Sequence, residues 1–145
     1  MKIAIACDHG GFELKEKIRD FLTASGYDVE DMGCHDTNSV NYPDYAFPLC
    51  EAVSRGEYDR GILICGTGIG MSICANKVRG IRCALCSEPV SASLTRRHND
   101  ANVLAMGARI IGTELAKEIV RVFLTTDFEG GRHEARVNKI KSYEE

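Results

Sequence analysis

A chain of 145 residues with 44% hydrophobic content can bury one core and is too short for two domains of ordinary size, so a single domain over residues 1–145 is expected. The net charge of −3 at pH 7 leaves no basic excess for nucleic acid or an anionic membrane to hold, and neither is an expected partner. Seven cysteines, an odd number in a chain able to build its own core, fit reduced thiols better than a disulfide framework, and most read as small apolar fillers.

The first element is Lys2 to Cys7, an apolar run that reads as a buried strand and stops at Asp8. It is too short for the apolar region of a signal peptide or for a membrane span, so the expected location is the cytoplasm. Phe12, Leu14, Ile18, Phe21 and Leu22 then recur at helical spacing, and that helix ends near Ser25-Gly26. Tyr27 to Met32 reads as a second strand. After a polar loop from Cys34 to Asn41, Pro43 opens a helix reaching Arg55, with Tyr45, Ala46, Leu49, Ala52 and Val53 as its apolar positions. Gly61 to Cys65 is the third strand, and a short helix from about Gly70 to Lys77 leads to a fourth at Ile81 to Cys86. A helix from Pro89 to about His98 precedes a fifth strand, Val103 to Met106; Glu114 to Leu124 is a further helix, and a charged one follows Gly130-Gly131 from about Arg132.

Strand and helix alternate throughout, with no low-complexity tract, long linker or internal repeat, which points to a parallel sheet with helices on both faces. Ligands of such sheets bind beyond the C-terminal ends of the strands. Asp8-His9-Gly10-Gly11, Cys65 with its glycines, and Ser87-Glu88 all fall there. His98 and Asn99 precede a strand and so fall at the opposite end, where a second subunit could supply them to a shared site.

The run Cys65-Gly66-Thr67-Gly68-Ile69-Gly70-Met71 joins a strand to a helix through a glycine-rich turn. Glycines let the backbone approach a ligand, and a helix N-terminus favours negative charge, so the turn is suited to a developing anion beside a thiol. A dinucleotide fingerprint requires a third glycine at Met71, and a cysteine phosphatase requires an arginine there. What remains is Cys65 as a general base or nucleophile facing loop amides, or as a buried cysteine that merely ends a strand.

Cys83-Ala84-Leu85-Cys86 has C-x-x-C spacing but lies in a strand, where positions three apart point to opposite faces. The histidines at 9, 35, 98 and 133 show no metal-ligand spacing, and no required metal is expected. His9 and His98 are candidates for acid–base work. Arg132 and Arg136 share a helical face after a diglycine, as a phosphate clamp would, although a solvated charged face has the same pattern.

Together these segments resemble the type B ribose-5-phosphate isomerases, a family that includes allose-6-phosphate and galactose-6-phosphate isomerases. The resemblance rests on Cys7 to Phe12, Gly61 to Gly70, Ala75-Asn76-Lys77, Gly80-Ile81-Arg82, Arg97 to Asn102 and Glu129 to His133, in family order over nearly the whole chain. It implies a Rossmann-like three-layer α/β/α sandwich with a five-stranded parallel sheet and a C-terminal helix. It also implies a homodimer with the active site at the subunit interface, dimer pairing into tetramers being left open, and no metal or organic cofactor. Its reaction would interconvert D-ribose 5-phosphate and D-ribulose 5-phosphate. By the same resemblance Cys65 would be the base and His98 the acid that opens the furanose ring, while the amides of Gly66, Thr67, Gly68, Ile69 and Gly70, with the Thr67 hydroxyl, would stabilise an enediolate. Asp8 and His9 would contact the sugar, Asn99 a substrate oxygen, and Arg109, Arg132 and Arg136 the phosphate.

One branch of the family carries a glutamate base in the loop, where this chain has Ile69, so the cysteine branch is the matching one. Asn41, ahead of Tyr42-Pro43, stands where many relatives have Asp, which bears on fine substrate contacts, and Tyr42 lies where it could reach the site. Two rivals remain: a six-carbon aldose 6-phosphate isomerase, and a nucleotide-binding regulatory module using the same loop for phosphates.

Overall fold

The computed structural model describes all 145 residues. Five strands, β1 (Lys2–Cys7), β2 (Asp28–Asp31), β3 (Arg60–Cys65), β4 (Cys83–Leu85) and β5 (Val103–Gly107), form one parallel sheet in the order β2-β1-β3-β5-β4. Six helices connect and flank them: α1 (Phe12–Ala24), α2 (Pro43–Ser54), α3 (Ile69–Ala75), α4 (Pro89–Asn99), α5 (Thr113–Thr125) and α6 (Arg132–Tyr143). This is the three-layer α/β/α arrangement with a C-terminal helix that the family resemblance implies. No helix is long and apolar enough to cross a membrane.

Side chains alternate across the sheet, and the alternation divides the core into two layers. Ile3, Ile5, Ile62, Ile64, Leu104 and Met106 pack beneath α1, α4 and α5. Ala4, Ala6, Leu63, Cys65, Val103 and Ala105 face α2 and α3. Small alanines on the second face let α2 and α3 approach closely. Burying each of the large aliphatic residues contributes about 1.5–3 kcal/mol, the main term holding the layers together. Cys83 flanks the second cluster while Cys86 belongs to the first, so this C-x-x-C pair does face opposite ways.

A buried cation joins α1 to the end of β2. Lys15, fully buried, donates to both carboxylate oxygens of Asp31 at 2.8 and 2.9 Å and to the Cys34 carbonyl at 2.7 Å. Burial by itself would raise the Asp31 carboxyl, but the Lys15 ammonium and the Gly33 N–H outweigh it and hold it below the usual range.

β4 is shorter than the expected Ile81 to Cys86, and side chains satisfy backbone groups at its N-terminal end. The amide of Asn76 accepts from Cys83 N at 2.8 Å and donates to Cys83 O at 3.0 Å, while Asn102 Oδ1 accepts from Arg82 N at 2.8 Å. An edge strand has free backbone groups on its outer side, and Asn76 satisfies them without a further strand.

Candidate active site

From β1 the chain runs outward to β2, and from β3 it continues to the other half of the sheet, so the crevice above β1 and β3 is the topological switch point. Register puts Cys7 beside Ile64. Asp8 and Cys65 therefore emerge from neighbouring strand ends.

Asp8 is nearly buried, and its Oδ1 accepts from Gly10 N at 2.9 Å and Gly11 N at 3.2 Å, capping the 3-10 turn His9–Gly11. A residue whose carboxylate caps its own turn is held in one rotamer. His9 is fixed from outside the turn: its Nδ1 accepts from Val40 N at 3.1 Å, so in the neutral ring the proton sits on Nε2. His9, Glu13, Lys17 and Thr113 line a cavity of about 330 Å³ beside this turn.

Cys65 Sγ accepts from Gly68 N at 3.0 Å, a bond made more strongly to a thiolate than to a thiol. That geometry needs glycine at 68, where φ is +79° and a Cβ would stand 2.8 Å from the Met106 carbonyl carbon. Thr67 Oγ1 accepts from Ile69 N at 3.2 Å, stiffening the turn into α3. The turn is clasped from β5 by Ala108 N donating to Cys65 O at 2.8 Å and Arg109 N to Gly66 O at 2.9 Å. The Arg109 side chain lies over Gly66, 3.4 Å from where a Cβ would be. Tyr42 does reach this loop, since its ring covers Gly70 so closely that a Cβ there would meet Cε1 at 2.5 Å.

The remaining predicted residues form a second group. His98 and Asn99 end α4, and Asn102, three residues on, accepts from Gly61 N at the start of β3. Asn99 O accepts from Arg82 Nε at 2.9 Å, ahead of β4. Gly61 to Cys65 is four residue steps, so this edge of the sheet lies roughly 13 Å from the thiol. Arg132 and Arg136 begin α6, which packs on α4. One chain thus brings Asp8, His9, Cys65, the loop and Arg109 together, and separately His98, Asn99 and the α6 arginines.

Three members of the second group have no assigned role in the sequence reading. The rings of His98 and His133 stack with centroids 4.2 Å apart and planes 14° apart. Glu129 Oε1 faces both, 3.7 Å from His98 Nε2 and 3.5 Å from His133 Nε2. Arg97 donates from Nε to Glu129 Oε2 at 2.9 Å. The i,i+4 spacing of Glu129 and His133 was visible in the sequence, but their meeting with His98 depends on how α6 packs. Hydrogen bonding from Arg97 holds the Glu129 carboxyl below its usual range. Burial, then the facing charges of His98 and Arg132, holds the His133 imidazole low.

Glu129, His98 and His133 offer three donor atoms within 4.8 Å of one another, close enough to consider a metal. The stacking argues against it: a cation shared by both rings would stand up to about 2.1 Å out of each plane, half the 4.2 Å separation, away from the in-plane lone pairs. The largest cavity, about 640 Å³ with Asn76, Arg82, Asn99, Lys139 and Tyr143 in its wall, lies on this second side and excludes Cys65. The largest cavity is therefore not the one beside the thiol and its N–H donor.

The family model described as Ribose/Galactose Isomerase matches residues 3–140. The chain belongs to the ribose/galactose isomerase family. Ribose-5-phosphate isomerase B of Escherichia coli strain K12 is 53% identical over 144 residues, 99% of this chain and 97% of that one. D-erythrulose-4-phosphate isomerase of Pectobacterium atrosepticum is 48% identical over 146 residues, 99% of this chain and 95% of that one. The solved structure of Clostridium thermocellum Ribose-5-Phosphate Isomerase B superposes with a TM-score of 0.98 at 54% identity, covering 99% of this chain and 97% of that chain. As a member of this family the chain is an aldose–ketose isomerase acting on sugar phosphates. Such an enzyme needs a base, donors for a developing oxyanion and a phosphate grip, and the two groups of residues contain candidates for all three.

Proposed function

We propose that the chain interconverts D-ribose 5-phosphate and D-ribulose 5-phosphate through a cis-enediolate, with Cys65 as the base. The observation that carries this reading is the Cys65 sulfur at the switch point, 3.0 Å from Gly68 N and one strand away from Asp8. Ring opening breaks the C1–O4 bond: O4 takes a proton from His98, and O1 gives one up to the free oxygen of Asp8. Cys65 then moves a proton from C2 to C1 while a hydroxyl proton passes from O2 to O1, so the sugar is isomerised with no net gain or loss. The N–H groups of Gly66 to Gly70 and the Thr67 hydroxyl stabilise the negative oxygen, each such donor being worth about 10²- to 10³-fold in rate. His9, Asn99, Arg109, Arg132 and Arg136 bind oxygens and phosphate remote from the reacting carbons, which supplies orientation. No cofactor or metal takes part in this reading.

The active form is a homodimer in the cytoplasm, each site built from both chains. Exposed apolar side chains support it: Ile69, Leu85 and Ile110 border a recess with Thr67, and Leu85 and Leu94 border the adjoining recess with His98. One apolar strip thus has the loop at one end and His98 at the other. A two-fold axis across it brings the loop of one chain to His98 of its partner.

The test is turnover of ribose 5-phosphate by Cys65→Ala with chelator present; near-wild-type turnover overturns the assigned base. The second reading is a six-carbon aldose 6-phosphate substrate, favoured by the galactose in the family description. Higher kcat/KM on allose or galactose 6-phosphate than on ribose 5-phosphate selects it.

A further inference from the structure

We propose that Glu129 is a positioning residue for ring opening: its carboxylate, clamped by Arg97, and the stacked ring of His133 together fix the His98 imidazole. This rests on the reading of His98 as the ring-opening acid.

Glu129 lies in the link between α5 and α6, and Arg97 grips it twice. Its backbone N donates to Arg97 O at 3.1 Å, and its Oε2 accepts from the Arg97 guanidinium at 2.9 Å. One carboxylate oxygen is therefore committed, and the other is aimed at the two imidazoles. His133 is buried, whereas His98 is about one-third exposed, so the stack has a fixed lower ring and an upper ring open to an incoming sugar. A partly exposed histidine at a helix end has several rotamers open to it. Stacking at 4.2 Å removes those that lift the ring off His133, and the carboxylate facing Nε2 selects among the rest. Arg132 and Arg136, on the same helix as His133, oppose a second charge on the lower ring.

A positioning role in ring opening has a signature that a role in enolisation lacks. Ribulose 5-phosphate is always acyclic, because the hydroxyl that could close its ring carries the phosphate. Deuterium uptake from D2O into its C1 position needs the base and the oxyanion donors and no ring opening. In the intact enzyme, Glu129→Gln is expected to lower kcat on ribose 5-phosphate about tenfold to hundredfold, with KM and deuterium uptake each within about twofold of wild type. Glu129→Asp, which keeps the charge, is expected to recover part of the loss. Unchanged kcat on ribose 5-phosphate overturns the proposal, as does an equal loss of turnover and uptake. His98→Asn run in parallel separates the two readings. If it loses both activities equally, the ring-opening acid is wrongly assigned; if it splits them and Glu129→Gln does not, only the positioning role falls. Should Glu129→Gln fail to fold by its melting curve, Arg97→Gln, which releases the same carboxylate without removing it, carries the same expected split.

Discussion

The buried imidazole of His133 stacks under that of His98 with centroids 4.2 Å apart, and its protonation is opposed first by burial and then by the charges of His98 and Arg132. Its folded value therefore lies below its unfolded value, and the unfolded chain binds more protons in the window between them. The resulting stability is complete above the unfolded value of about 6.5 and is lost as pH falls through the folded one. Melting temperature is expected to drop between about pH 7 and pH 5, and His133→Gln is expected to flatten that slope. An unchanged slope rejects the assignment.

Lys15 and Asp31 set a second, lower window. Because the Asp31 carboxyl is held low in the folded chain, its contribution is present above the unfolded value near 3.9 and is lost as pH falls further. Lys15→Ala leaves the carboxylate without its buried partner and is expected to cost about 3–5 kcal/mol in denaturant unfolding. The double variant Lys15→Met with Asp31→Leu is expected to recover most of that loss, because it removes both charges from the interior.

Gly68→Ala tests the turn that holds the thiol. An added Cβ meets the Met106 carbonyl and the Leu85 side chain in a backbone conformation that L residues disfavour. The expected cost is about 1–3 kcal/mol of stability, together with a rate loss on the scale of one missing N–H donor, about 10²-fold or more. Wild-type kcat in this variant shows that the close fit of Gly68 against Met106 and Leu85 is not needed to place the donors.

Shared sites make a prediction about mixtures. Cys65→Ala and His98→Asn chains, each nearly inactive alone, are mixed in equal amounts and allowed to exchange subunits. Half of the dimers are then mixed, and half of the sites in each of those are intact, so about a quarter of wild-type activity is expected. Sites built within one chain recover nothing. Leu85→Asp, placed in the apolar strip, is expected to yield monomers by light scattering and to abolish activity.

How much was legible in the sequence follows from the range of each interaction. The strand over Arg60–Cys65 and the helix over Phe12–Ala24 are local patterns of apolar residues, and both are readable within one or two residues. The loop after Cys65 is legible because glycine, cysteine and the following helix are contiguous. Sheet order is not, since pairing β3 with β5 rather than β4 depends on contacts forty residues apart. The same holds for Glu129: its partner Arg97 is 32 residues away, and only the packing of α6 on α4 brings them together. Tyr42 lies in the chain where it could reach the loop, yet its hold on Gly70 is steric and leaves no local pattern.

The alternation along β3 leaves the thiol with a constraint of parity. Leu63 and Cys65 share one side of the sheet, and Ile62 and Ile64 the other. Deleting or inserting one residue anywhere between Gly61 and Cys65 would turn the sulfur into the opposite layer, among the side chains under α1 and α5, with no loop amide in reach. Whatever apolar residues of matching size this strand carries, its length can change only in twos.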